Sequence, residues 1–367
     1  MNIYYLTLEG ITSTVFESQV LSLNKRLDKE QIDVNLLIGQ KYKSRIPLIK
    51  FFKLWIKSSV SFCFLKNGIN HDKIAARLLR KIKGNNIIIH CRNIEAAYVG
   101  LLLMGKTNKR IQIIYDVRGY VEGEKIFFNE PIRERLFKEL NETLFNSDIN
   151  FSFISKELYN VYNNIYNIDE SKVIFCNSAY DDSIFYLTNE SIAVKTSLIK
   201  ILFVGGNQLY QKTLNIIKII EKRPDVELTV ITPKRINITL TGKNIKLLNG
   251  LSQKEINVLA NDFDYGIIYR DNQIFNAVAT PTKVAEYLGK GLRVIAINSA
   301  GSYTDFISNN ELFGKVVGSE KELLKLKLDK TSIDQKKAIN LFAVKNLSLS
   351  NNLEKYIDLY KKLNENF

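Results

Sequence analysis

The run from Asn276 to Ile297, NAVATPTKVAEYLGKGLRVIAI, brings several chemistry-bearing residues together at meaningful spacing. Pro281 stands where a first helical turn tolerates a missing N–H, Thr280 is placed to cap that turn, and Lys283, Glu286 and Tyr287 fall within the next two turns. A helix start presents free amides and the positive end of the helix dipole, which together suit a phosphate. Glu286, about one and a half turns in, could accept hydrogen bonds from sugar hydroxyls beside that phosphate. Phosphate plus ribose means a nucleotide. An ordinary capped helix with a solvated glutamate reads the same residues equally well.

Other candidates sit where predicted strands end, the edge at which parallel sheets bind ligands. Asn86 to His90 reads as a buried strand running into His90, Cys91, Arg92 and Asn93; Ile111 to Tyr115 runs into Asp116, Val117, Arg118 and Gly119. Asp116 and Arg118 can equally be a mutual ion pair that shapes its loop. Gly10, with Thr12 and Ser13, follows the first strand, and a tight turn explains it as well as a ligand does. Gly205 and Gly206 follow the strand Lys200 to Val204 and would let backbone approach a phosphate, with Lys212 adding a cation before the helix Thr213 to Glu221. Arg270 to Asn276 form the loop ahead of the organising helix. Two histidines in the whole chain exclude a metal centre of several imidazoles, and no Ser/His/Asp order is evident.

These residues need elements to hold them. Strand, glycine turn and helix alternate from Ile3 to Ile38 and again from Lys200 to Ile297, with Gly289 and Gly291 stopping the helix before the apolar run Leu292 to Ile297. Alternation of this kind predicts α/β, doubly wound parallel sheets. A chain of 367 residues exceeds a single core and divides naturally in two. The boundary is expected near 186–197, giving an N-terminal domain over 1–188, a C-terminal one over 189–345, and a final segment 346–367 whose helix, Leu353 to Leu363, packs back toward the first domain.

The net charge of +14 implies attraction to a polyanion. No zinc-finger spacing or aromatic RNA-binding signature accompanies it, so nucleic acid is not an expected partner. Residues 41–66 mix Lys41, Lys43, Arg45, Lys50, Lys53 and Lys57 with Phe51, Phe52, Trp55, Phe62 and Phe64. That pattern suits the headgroup layer of an anionic membrane, or a core helix with solvated lysines. Cys63, Cys91 and Cys176 are odd in number and unpaired in spacing, which predicts reduced thiols and a cytoplasmic protein. The start MNIYYLTLEG lacks a signal peptide's regions, and no apolar run is long enough to span a bilayer, so any membrane association is expected to be peripheral.

The run PTKVAEYLGKGLRVI resembles the donor-binding segment of GT-B glycosyltransferases of family 4, as do HCRN, YDVRGYVEGE and ISKEL…VIFCNSAYDDSIF for other parts of that fold. The resemblance covers nearly the whole chain and implies two Rossmann-like domains facing a cleft. It implies a retaining transfer of a sugar from a nucleotide-diphosphate donor, a UDP-sugar first, to a lipid-linked or growing glycan acceptor in bacterial surface polysaccharide synthesis, with no cofactor and no essential metal. Carried onto this sequence, Gly205, Gly206, Lys212, Arg270, Thr282, Lys283 and Glu286 would bind the donor nucleotide. His90, Asp116, Arg118, Lys212 and Lys283 would serve catalysis; Gly10, Thr12, Arg92, Asn93 and Asn276 would meet the acceptor or the sugar. Two departures stand out: Val278 occupies the place of the family's first glutamate, and Asn207 and Gln208 occupy the place of an arginine. An epimerase of the same architecture and a nucleotide-binding scaffold without catalysis are the competing readings; turnover with acceptor separates transferase from both.

Overall fold

Apolar β-branched runs with helices between them are what a parallel sheet covered on both faces requires. The chain supplies two sets. The structure, a computed structural model, describes residues 1–8, 16–41, 60–65, 70–187, 198–206 and 209–367. Seven strands form the first sheet: β1 (Asn2–Thr7), β2 (Val34–Lys41), β3 (Val60–Leu65), β4 (Asn86–Arg92), β5 (Arg110–Val117), β6 (Asn150–Phe153) and β7 (Val173–Phe175). Six form the second: β8 (Ile199–Val204), β9 (Val226–Thr232), β10 (Ile245–Asn249), β11 (Tyr265–Tyr269), β12 (Arg293–Ile297) and β13 (Gly314–Val317). The described strand pairings are parallel.

Their orders are β3-β2-β1-β4-β5-β6-β7 and β10-β9-β8-β11-β12-β13. Each reverses direction once, between β1 and β4 in the first and between β8 and β11 in the second. At such a switch point neighbouring connections leave to opposite faces and open a crevice beyond the strands' carboxyl ends. Arg92 and Asn93 follow β4 at the first switch point; Gly205 and Arg270 follow β8 and β11 at the second.

Contacts divide the chain into one unit of Met1–Asn177 with Asn352–Phe367 and another of Ser178–Asn351. The division falls ahead of 186–197. In the first unit, the stretch expected to be helical from Phe16 opens with a π-helical turn, Phe16–Leu21, and becomes α-helical at Ser22–Lys29. The end of the 41–66 stretch is not an amphipathic helix: Val60–Leu65 is the edge strand β3, paired with β2. The rest of it, 42–59 and 66, lies outside the described residues, as do Gly10, Thr12, Asn207 and Gln208.

In the second unit one side chain fixes the organising helix, Thr282–Gly289, to the sheet. Gly266 on β11 has no Cβ, and a Cβ there would meet the Tyr287 ring at 2.2 Å. The ring therefore lies against the strand, and its hydroxyl accepts the Val204 N–H at 2.9 Å. Burial pushes the Tyr287 phenol well above its ordinary value, so it keeps its proton. None of the described helices is long and apolar enough to cross a membrane.

Candidate functional site

In the first unit β4 and β5 end side by side, with Arg92 in register with Asp116. Asp116 is only 1% exposed, and it faces three basic groups. Arg118 Nη1 donates to Oδ1 at 3.4 Å, Arg92 Nη1 stands 3.7 Å from Oδ2, and His90 Nε2 stands 3.9 Å from the same oxygen. Burial alone would raise this carboxyl; Arg118, His90 and Arg92 outweigh it and hold the group at about 2. Asp116 is therefore a fixed anion at neutral pH and not a proton donor.

Gln19, in the π-helical turn, ties the two arginines together. Its Oε1 accepts from Arg92 Nη2 and from Arg118 Nη2, both at 2.7 Å. A π turn is wider than an α turn by one residue and is found at functional positions more often than chance gives. His90 packs against the rings of Tyr5 and Tyr356, with centroids at 4.6 and 5.0 Å. Burial pushes the Tyr5 phenol up to about 12. Behind the loop, Glu122 accepts from Asn141 at 2.6 Å and from the Tyr162 hydroxyl at 2.7 Å, so this carboxylate supports the loop from the interior. Asn93 adopts φ +69° as it turns from β4 into the helix Ile94–Met104, and its N–H donates to the Asp116 carbonyl.

In the second unit the start of the Thr282–Gly289 helix differs from expectation in two respects. Pro281 is the N-cap, in extended conformation, not a first-turn residue, and no side chain caps the helix among the described residues. Thr280 Oγ1 instead accepts the Ser178 N–H at 3.0 Å. The helix's positive end is thus not neutralised by a cap. Thr282 opens the first turn, half-buried. Lys283 Nζ donates to Glu286, whose carboxylate is buried while the lysine stays partly exposed.

The residues before that helix form a second cluster. Lys212, in a left-handed conformation at φ +47°, places Nζ 3.1 Å from Asp271. Asn276 is fully buried; its Nδ2 donates to the Asp271 carbonyl at 3.2 Å, and its Oδ1 accepts from Arg270 Nη1 at 3.3 Å. Both ends of this amide thus brace the loop. Arg270 lies 6.0 Å from the Tyr210 ring centroid, and burial pulls its guanidinium below the ordinary value.

Gly205 and Gly206 follow β8 with both amides engaged. Their N–H groups donate to the Ile231 carbonyl at 3.1 Å and to Gln211 Oε1 at 2.7 Å, so a phosphate approaching here must displace the glutamine. At the carboxyl ends of β9 and β10 lies a cavity of about 490 Å³, lined by Val230, Thr232, Arg235, Ile236, Leu247 and Asn249 among others.

Sequence reasoning missed Gln19, Tyr356, Tyr360 and Asp271. Tyr356 and Tyr360 were visible as one face of the final helix, but nothing local says that the face meets a histidine. Gln19 carried no signal at all in a helical pattern.

No protein-family model matches the chain, and no curated protein matches it by sequence. Solved structures do match. Sucrose-phosphate synthase from Thermosynechococcus elongatus superposes with a TM-score of 0.73 at 10% identity, covering 99% of each chain. Anabaena HepE in complex with UDP gives 0.69 at 10% identity, over 99% of this chain and 100% of that one. WaaG, a glycosyltransferase involved in lipopolysaccharide biosynthesis, gives 0.67 at 12% identity, over 97% and 99%. Likeness at such identities establishes the fold: the chain has the two-domain, Rossmann-like GT-B fold.

Proposed function

We propose that this protein is a retaining glycosyltransferase that moves a sugar from a nucleotide-diphosphate donor, a UDP-sugar first, to a lipid-linked or growing glycan acceptor in bacterial surface polysaccharide synthesis. One observation carries the reading: at an uncapped helix start in the second unit of a GT-B fold, Lys283 and a buried Glu286 stand together. An uncapped start attracts a diphosphate, and a buried carboxylate is costly unless it is paired or hydrogen-bonded. When a diphosphate takes Lys283, Glu286 is released to accept the ribose hydroxyls. Structures of HepE with UDP and with UDP-glucose support this choice of donor by analogy of fold.

The leaving diphosphate gains negative charge, and Lys212, Lys283, Arg270 and the amides at Thr282 stabilise it electrostatically, without a metal. The apolar walls and polar rim of the cavity at β9 and β10 suit the base. Gly206 offers its N–H to phosphate once Gln211 moves aside, and Gly205 lets the phosphate approach the backbone closely. In the first unit His90, Asp116 and Arg118 orient the sugar or acceptor, with Arg92 and Asn93 beside them; Gly10 and Thr12 are assigned to the acceptor or sugar from the sequence alone. The 41–66 stretch holds the protein peripherally on an anionic membrane from the cytoplasmic side; unchanged binding to acidic vesicles after removing the Lys50, Lys53 and Lys57 charges would refute that part.

The decisive test is thermal stabilisation by UDP, GDP, CDP, ADP and dTDP on wild type and Glu286→Ala. The expected result is stabilisation by one nucleotide that the variant loses. No shift with any nucleotide, or an equal shift in the variant, overturns the donor site.

A further inference from the structure

The two ring nitrogens of His90 have different neighbours. Nδ1 lies 2.7 Å from the Tyr360 hydroxyl. Nε2 is buried, has no hydrogen-bond partner among the described residues, and faces Asp116 Oδ2 at 3.9 Å. We infer that Tyr360 is a positioning residue whose O–H donates to Nδ1 and locks His90 as the Nε2–H tautomer, so that His90 serves its site as a hydrogen-bond donor and not as a base.

Two proton placements fit a 2.7 Å contact. If Nδ1–H donated to the phenol oxygen, the phenol proton would be left in the interior with no acceptor among the described residues, and the Nε2 lone pair would point at a carboxylate. Both features are unfavourable: a buried donor without a partner loses its hydration for nothing, and a lone pair facing an anion is repelled. If the phenol donates to Nδ1 instead, Tyr360 is satisfied, Nδ1 is satisfied, and the Nε2–H dipole points toward Asp116. The surroundings hold each member in the required state. Burial pushes the Tyr360 phenol well above its ordinary value, so it keeps its proton, and Asp116 is held ionised by Arg118 and its neighbours. The Tyr5 and Tyr356 rings pack against the imidazole at a tilt, 46° and 54° from its plane, and restrict its rotation.

The 3.9 Å gap between Nε2 and Asp116 is too long for a direct hydrogen bond. A sugar hydroxyl entering between them would accept from Nε2–H and donate to the carboxylate. That last step rests on the transfer reading above; the tautomer does not.

The chain has two histidines, so ¹⁵N-histidine labelling yields two ring systems, and His71→Gln leaves one. Wild type should show an unprotonated Nδ1 and a protonated Nε2 at His90. Tyr360→Phe, which keeps the ring and removes the hydroxyl, should shift His90 toward Nδ1–H or the imidazolium, while Tyr356→Phe should leave the tautomer alone. In turnover, Tyr360→Phe should lower kcat about tenfold, the loss of roughly one well-made hydrogen bond, with the donor KM unchanged. An Nδ1–H tautomer or an imidazolium in the wild type at neutral pH overturns the inference, whether or not the variant folds. So does a Tyr360→Phe protein whose His90 tautomer is unaltered. Absence of any sugar transfer by wild type counts against the transfer reading alone, and the nitrogen signals still decide the tautomer.

Discussion

Asp116 and Lys290 are both buried ionisable side chains that bind a proton more weakly in the folded state, Asp116 because of its charged partners and Lys290 because of burial. Asp116 is held at about 2, below its ordinary 3.8, because Arg118, His90 and Arg92 outweigh the cost of burial. The folded protein binds this proton more weakly than the unfolded chain does. The stability it contributes is therefore complete above about pH 4 and is lost as pH falls toward 2. At roughly 1.4 kcal/mol per pKa unit this amounts to about 2 kcal/mol. Asp116→Asn should show a deficit in urea titrations at pH 6 that shrinks at pH 3; a deficit equal at both would mean the charge contributes nothing. Lys290 has no carboxylate partner among the described residues. It donates to the Tyr186 carbonyl and to Asn261, with Lys336 nearby, and burial brings it from 10.5 down to about 8. Here too the folded state binds the proton more weakly, so between about pH 8 and 10.5 the unfolded chain holds the extra proton and stability rises with pH. Below that window the full penalty of the buried charge is present. Relative to Lys290→Met, wild type should gain about 2 kcal/mol between pH 7 and pH 10, read by denaturant titration at each pH. An unchanged difference would mean that the ammonium is solvated.

The loop after β12 braces the segment that leads into the Thr282–Gly289 helix. Gly301 has φ +69°, and a Cβ there would sit 2.1 Å from the Ala279 carbonyl oxygen. Ser302 N–H donates to that same oxygen at 2.9 Å, and Ser299 and Thr304 hydroxyls close the turn. Gly301→Ala must therefore adopt an unfavourable backbone conformation and also push residues 279–281 away. The expected cost is about 2–3 kcal/mol in urea unfolding, together with weaker nucleotide binding; unaltered stability would show that the loop relaxes freely. Elements of this kind differ in how far the sequence exposes them. The helix after Pro281 and the strand Arg293–Ile297 were readable because Gly289 and Gly291 stop the one and a short apolar run, Leu292 to Ile297, opens the other. Val60–Leu65 was not readable as a strand, since lysines and aromatics upstream of it scan with helical spacing. Thr280 was misread as a cap because its true partner, the Ser178 N–H, is remote in sequence. His90, Arg92, Asp116 and Arg118 could be named from strand ends. Gln19 and Tyr360, which hold them, could not, because their roles exist only once the chain has brought distant positions together.

Across the whole molecule the same logic of remote contact makes the last residues indispensable to the first unit. Asn352–Phe367 belongs with Met1–Asn177, although Ser178–Asn351 intervenes in sequence. Tyr356, Leu359, Tyr360 and Leu363 are all buried, Asn352 donates to the Asn177 carbonyl at 2.7 Å, and Gln112 donates to the Leu363 carbonyl at 2.8 Å. Burying four side chains of this size contributes on the order of 6–12 kcal/mol, an upper bound because an unfolded ensemble already hides part of that surface. That is comparable with the entire stability of a typical domain, about 5–15 kcal/mol. A chain ending at Asn351 should therefore lose the fold of its first unit, while the second, which keeps both of its hydrogen bonds between Tyr180 and the Leu347–Leu349 segment, retains its own. Hydrogen exchange read by mass spectrometry should find protected amides in β8 to β13 and none in β4 or β5. Protection persisting in β4 and β5 would mean that the first sheet is stable without the final helix, and that Tyr360 reaches His90 as an accessory rather than as part of the core.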